Sequence, residues 1–381
     1  MKNKWITILL LIAIVCGFSN CSFSNCGTSK NTVSAKKEKI PALKDVYKDY
    51  FLIGNIINGR YVEGEYLKLI TTHFNIVTAE NQMKPDQLAP RQKGGQYNFK
   101  YADDLVAEME GYGIAFHGHT LVWHKQTHAW MTTGTPAQVR ENLVNHINTV
   151  MTHYKGKVIS WDVVNEAVKE QINPGDQNLS WKTQLREDSG WFKALGADFI
   201  ELAFRTARAA DPDADLQYID YNLDNQRKAQ VTANMVKDIN DRYKAEGNSR
   251  NLIDTIGMQA HYGATYTDPS NVRASIKKFI DIGVKIAISE LDVEMKLTTG
   301  NFGVGKNSTM LDVDQRVQAL AYAQLFNIFK EYKDHITRVT MWDFDDEFSW
   351  KSFGNPCLWD AELNPKQAFW AVVDPNKTLR L

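Results

Sequence analysis

The sequence predicts a single (β/α)8 TIM barrel, and three observations carry that expectation. Eight short β-rich runs recur along the chain, separated by longer stretches of helical periodicity. Several of these runs are almost continuously apolar, as parallel strands are when both faces are covered. Polar residues gather toward the C-terminal ends of the runs, which in a closed barrel converge on one mouth.

The first run, Phe51–Asn58, is followed by Phe74–Asn81, which ends in Glu80-Asn81. The third, Ile114–His124, starts after the helix stop Gly111-Tyr112-Gly113 and carries His119. Pro136–Lys155 comes next, with Val139, Leu143, His146, Ile147 and Val150 on one helical face. The fourth run, Val158–Glu166, ends in Asn165-Glu166. Asp211-Pro212 punctuates the chain before the fifth, Asp215–Asn222, which places Asp220 near its end. The sixth, Thr255–Tyr262, carries Gln259 and His261. Gly283 closes a helix ahead of the seventh, Lys285–Val293, with Glu290 and Asp292. The eighth, Arg338–Asp346, contains Trp342 and Asp346. The polar, Gly-rich stretch Lys296–Asp312 reads as a surface insertion. No short internal repeat suggests a solenoid.

The 381 residues, 43% hydrophobic and 11% aromatic, fit the length that α/β barrels occupy as one domain. Lys plus Arg number 44 and Asp plus Glu 45, a net charge of -1, so no nucleic-acid partner is expected. Ten tryptophans supply flat apolar rings that can stack on sugars, although most should fill the core. Lys2 and Lys4 precede an apolar run, Trp5 to Val15, of signal-peptide length and too short to span a bilayer. The organisation expected is therefore a leader and linker over residues 1–39 and a catalytic barrel over 40–381. Cys16, Cys21 and Cys26 lie in the leader, leaving Cys357 alone in the folded part, so no intradomain disulfide can form. Phe18-Ser19-Asn20-Cys21 loosely resembles a bacterial lipobox, making Cys21 a candidate lipid anchor. Export is expected, whether to the medium, the periplasm or the cell surface.

Hydrolysis of a glycosidic bond without metal or cofactor takes two carboxyl groups. Glu166 and Glu290, ending the fourth and seventh runs, would face each other across the mouth. Asn165 could bond a sugar hydroxyl, and His261 between Glu290 and Asp292 could hold Glu290 ionised. Glu166, after an apolar strand and opposite a carboxylate, is expected to have a raised pKa. The pair His117/His119 offers another reading, a barrel metallohydrolase. Against it, this pair lies on the third run, and the first run carries only Asn55 and Asn58. His119 and Trp123, four apart, would share a strand face and suit a sugar contact with a stacking ring.

At these residues the sequence resembles glycoside hydrolase family 10, the xylanases. Ala79–Lys84 (AENQMK), Gly118–His124 (GHTLVWH), Trp161–Ala167 (WDVVNEA) and Ile288–Val293 (ISELDV) match its strand-end motifs in order. The match runs from about Val46 to Trp370. The resemblance implies a retaining endo-1,4-β-xylanase, without cofactor or metal, acting on xylan or xylo-oligosaccharides as a monomer. It makes Glu166 the acid/base and Glu290 the nucleophile, supported by His261 and Asp292. Glu80, Asn81, Lys84, His119, Trp123, Asn165 and Gln259 would bind sugar on the glycone side. Tyr221 would contact the aglycone side, and Trp342 and Trp350 would wall the cleft. Three positions depart from the family: Asp343, a charge where a small Gly usually follows the tryptophan, Ile219 for a usual Asn, and His128 for a usual Pro. A carbohydrate-binding pseudoenzyme would keep the tryptophans but lose a glutamate, and here both glutamates are present.

Overall fold

The computed structural model describes residues 40–295 and 310–380. The leader with Cys21 and residues 296–309 of the Gly-rich stretch lie outside the described residues. The strands are β1 Leu52–Ile57, β2 Ile76–Ala79, β3 Ala115–Val122, β4 Val158–Asn165 and β5 Asp215–Asp220. They continue with β6 Thr255–Met258, β7 His261–Gly263, β8 Lys285–Glu294 and β9 Ile336–Met341. All pair in parallel in the order β6-β5-β4-β3-β2-β1-β9-β8-β7, and Thr255 opposite Lys285 joins β6 to β8 and closes the ring. β7 continues the line of β6 and pairs with the far end of β8, His261 opposite Asp292.

A helix follows each barrel position and covers it from outside. The principal ones are Gly64–His73, Lys100–Gly111, Pro136–Tyr154, Asp198–Ala210, Gln226–Ala245, Pro269–Asp281, Asp312–Glu331 and Gln367–Val373. Pro136–Tyr154 begins where the sequence predicts, with Pro136 at its first position and a capping box between Thr135 and Gln138. Its Val139, Leu143, His146, Ile147 and Val150 are all buried against the sheet. Gly118 in β3 lets β4 pack closely, because a Cβ there would come within 2.2 Å of the Trp161 ring.

Three strand boundaries differ from expectation. The sixth run breaks at Ala260, whose φ of 63° is left-handed and interrupts the ladder between β6 and β7. The eighth ends at Met341 rather than Asp346, because Asp343 with φ 104° turns the chain out of the sheet. The third ends at Val122, and its register shifts between His119 and Val122, so the simple alternation linking His119 to Trp123 does not hold.

The barrel interior below the mouth is polar. Arg338, fully buried, donates to Thr340 Oγ1 at 2.9 Å and Gln217 Oε1 at 3.1 Å. His117 lies in the same layer, with Nδ1 2.7 Å from Ser160 Oγ and Nε2 2.8 Å from Arg338. Burial and the neighbouring guanidinium push its pKa down to about 4. Among the described residues, no helix is long and apolar enough to cross a membrane, and Cys357 is a buried free thiol.

Candidate active site

A cleft of about 680 Å³ opens at the C-terminal ends of the strands. Glu166, Glu290, His261, Asn165, Glu80, Asn81, Lys84, His119, Trp123, Tyr221, Gln259, Trp342 and Trp350 all line it. Asp292 lies behind this lining, fully buried under His261.

Glu166 is the first residue past β4 and has φ 56°, a strained conformation for a glutamate. Three backbone ties hold it there. Its N–H donates to Ile219 O at 2.9 Å, its carbonyl accepts from Arg186 Nε at 2.9 Å, and the next N–H, of Ala167, donates to the Tyr218 hydroxyl at 3.1 Å. The side chain turns into the cleft, where Gln259 Nε2 donates to Oε1 at 3.1 Å and Trp123 Nε1 to Oε2 at 3.0 Å. The pKa contradicts the sequence expectation. Burial raises it, but those two donors, with His124 and Lys125 nearby, outweigh burial and hold Glu166 below its usual value.

Glu290 is set on β8 and receives a different partner. His261 Nε2 lies 3.1 Å from its Oε2, and Nδ1 of the same ring lies 2.7 Å from Asp292 Oδ2. Burial alone would neutralise the imidazole, yet Asp292 and then Glu290 push its pKa up to about 9. An imidazolium thus stands between two carboxylates at neutral pH. Asp292 also accepts from Trp350 Nε1 at 3.1 Å and Lys351 Nζ at 3.2 Å, so its charge is fully answered. Gln259 links the two glutamates: its side chain bonds Glu166 and Asn165, and its carbonyl accepts the Glu290 N–H at 3.0 Å.

The opposite wall comes from the loop after β2. Asn58 donates to Glu80 Oε2 at 2.6 Å, and Lys84 Nζ donates to Asn81 Oδ1 at 2.9 Å. Burial lowers the Lys84 pKa against the pull of Glu290 and Glu80. His119 is oriented by Asp162 at 2.9 Å through Nδ1, and its ring meets Trp342 edge-on at 5.5 Å. His117 Nε2 and His119 Nδ1 both lie 2.9 Å from Asp162 Oδ2, His117 within the interior layer and His119 at the cleft, and no group of His, Cys, Asp and Glu among the described residues is placed to hold a metal.

Several residues behave differently from their sequence reading. Asp220 and Asp346 lie beneath the mouth, not in it, each accepting from a buried lysine at 2.7 Å, Lys228 and Lys366 respectively. Ile219 is wholly buried against Gly257, away from the cleft. Asp343 is buried and does not line the cleft. Burial, with Glu80 and Asp292 close by, pushes its carboxyl up to about 8, although Ser349 and the Trp350 N–H oppose this. Sequence reasoning also missed Lys125, Glu170, Asn222, Tyr266 and Lys351, which line the same cleft. Lys125 and Lys351 each directly follow or nearly follow a residue already singled out, which was the available signal.

The comparisons with known proteins agree with this geometry. The model of Glycosyl hydrolase family 10 matches residues 42–375. The Beta-1,4-xylanase of Dictyoglomus thermophilum is 35% identical over 382 residues, covering 98% of this chain and 99% of the relative. The Endo-1,4-beta-xylanase A of Thermotoga maritima is 38% identical over 354 residues, 89% of this chain but 31% of its own length. The chain thus spans about a third of that relative and of its Thermotoga neapolitana counterpart. A crystal structure of a bacterial Ig-like domain containing GH10 xylanase from termite gut superposes with a TM-score of 0.82 at 37% identity, covering 90% of this chain and 79% of that one.

Proposed function

Because the chain belongs to glycosyl hydrolase family 10, we propose that it hydrolyses internal β-1,4 linkages of xylan with retention of anomeric configuration. The observation that carries this reading is the unequal setting of two carboxyl groups in one cleft. Glu290 is backed by the His261 imidazolium, which holds its Oε2 from one side and leaves the other oxygen facing the cleft. Glu166 faces the same cleft with neutral donors on both oxygens.

In the first step Glu290 attacks the anomeric carbon while Glu166 gives a proton to the departing oxygen, leaving a covalent glycosyl-enzyme. In the second, Glu166 takes a proton from water, and the resulting hydroxide displaces Glu290. No cofactor enters this scheme. Glu80, Asn81, Lys84, His119 and Trp123 would hold the glycone, and Tyr221 the aglycone. Trp342 and Trp350 close the wall where a hydroxymethyl group would have to fit, which supports xylan over cellulose. Proton NMR of early products on xylan is the deciding experiment: β-anomers first are expected, and initial α-product overturns retention.

Export is part of the same reading. It is supported by Lys2 and Lys4 ahead of the apolar run, and lipidation by the lipobox-like residues before Cys21. Mass spectrometry of the native N-terminus should find the leader removed, with diacylglycerol on Cys21 if it is the anchor.

A further inference from the structure

The loop after β2 divides its side chains between two hollows. Glu80, Asn81 and Lys84 line the cleft, whereas Gln82, Asp86 and Gln87 line a second cavity of about 430 Å³. The far side of that cavity is formed by Gln96, Asn98 and Tyr101, the last in the first turn of the helix Lys100–Gly111. The loop joins the C-terminal end of β2 to the start of that helix, so the second cavity lies on the same face of the barrel as the cleft.

We propose that this cavity binds a remote part of the same β-1,4-linked xylan chain, beyond the cleft on the Glu80 and Asn81 side. The inference rests on the xylanase reading above, since a polymer necessarily runs past the residues being cleaved.

Four features support it. The cavity falls in the size range of small-ligand sites. Tyr101 is 67% exposed and leaves an uncovered apolar ring at the edge of a polar hollow. Singly exposed aromatics are ordinary, but this one shares its hollow with the amide groups of Gln82, Gln87, Gln96 and Asn98, which can both donate to and accept from hydroxyls. The charges present, Asp86 and Arg91, are of opposite sign, which favours a neutral ligand over an ionic one. Finally, the two hollows are lined by successive residues of one loop, Asn81 in the cleft and Gln82 in the second cavity, and Gln82 Oε1 accepts the Asn81 N–H at 3.2 Å.

The test compares the full chain with Tyr101→Ala, Tyr101→Phe and Gln96→Ala on linear xylohexaose and xylotriose. Tyr101 and Gln96 are exposed, so substitution should leave the fold intact, which a melting curve checks. Tyr101→Ala should lower kcat/KM on xylohexaose by roughly three- to tenfold, the worth of one aromatic contact. Xylotriose turnover should be unchanged, Tyr101→Phe should behave as the parent, and Gln96→Ala should show a smaller loss confined to the long substrate. Equal losses on both substrates, or none on either, overturn the second site while leaving the xylanase reading in place. A parent chain inactive on both substrates overturns the xylanase reading, and this inference falls with it.

Discussion

His261 Nε2 lies 3.1 Å from Glu290 Oε2, and the same ring is held from behind by Asp292 at 2.7 Å. The imidazole is raised to about 9 from an ordinary value of 6.5. Its stabilising contribution is therefore fully present below pH 6.5 and is lost as pH rises through about 9. Deprotonation removes the cation that holds Glu290 aligned through its Oε2. On an aryl β-xylobioside whose leaving group needs no proton, kcat should fall with an apparent pKa near 9. A rate flat through pH 10 would contradict the proposed support of Glu290.

The two glutamates should separate by mutation. Glu290→Ala is expected to abolish formation of the glycosyl-enzyme on every substrate. Glu166→Ala should lower kcat/KM on xylan by about 10²–10⁴-fold, the usual value of acid–base assistance. That variant should still be glycosylated by aryl glycosides, and azide should restore its turnover as a β-glycosyl azide. Rescue of Glu290→Ala to an α-azide, with Glu166→Ala left dead, would reverse the roles.

The barrel was legible because each strand is a short apolar run and each helix has its own period. The cleft was legible because its groups cluster at strand ends, a pattern that a closed ring converts into proximity. The same rule misled at Asp220 and Asp346, since strand ends also hold buried charges, and Lys228 and Lys366 announce themselves only in three dimensions. The break at Ala260 carries no glycine to mark it. The expectation for Glu166 failed for a different reason. Desolvation and a facing carboxylate can be inferred from strand position, but the donors Trp123 and Gln259 come from the residues just past β3 and β6 and reverse the sign.

That reversal is testable. Gln259 and Trp123 both stabilise the charged form of Glu166, so deleting either donor should raise its pKa. If Glu166 acts as the acid, kcat/KM falls as pH rises through that pKa. Trp123→Phe keeps an aromatic ring and loses only the N–H; its alkaline limb on xylo-oligosaccharides should move to higher pH. Gln259→Ala should move it the same way, with an added loss from the missing tie to Asn165. A limb that stays in place, or moves down, would show that these bonds do not set the acidity of Glu166.

Asp343 makes the last prediction, and it concerns stability instead of chemistry. Its residue position has φ 104°, where a side chain is strained, and it is 6% exposed. The carboxyl still accepts the Trp350 N–H at 3.1 Å, fastening the turn after β9 to the loop that carries Trp350. With its pKa raised from 3.8 to about 8, the folded state favours the neutral acid. The sign is opposite to that of an ion-paired aspartate. The unfolded chain releases this proton near pH 3.8, whereas the folded chain keeps it until about pH 8, so ionisation costs stability progressively across that window. Asn copies the neutral acid in shape and can still accept the Trp350 N–H. Asp343→Asn should therefore raise Tm at pH 8, by an amount of order a few kcal/mol in unfolding free energy. At pH 4 it should have little effect, so the difference between the two melting curves should grow with pH. Asp343→Gly should relieve backbone strain but lose the tie to Trp350, leaving the cleft wall looser and KM higher. If Asp343→Asn instead destabilises the chain at pH 8 and spares it at pH 4, Asp343 is ionised in the folded state.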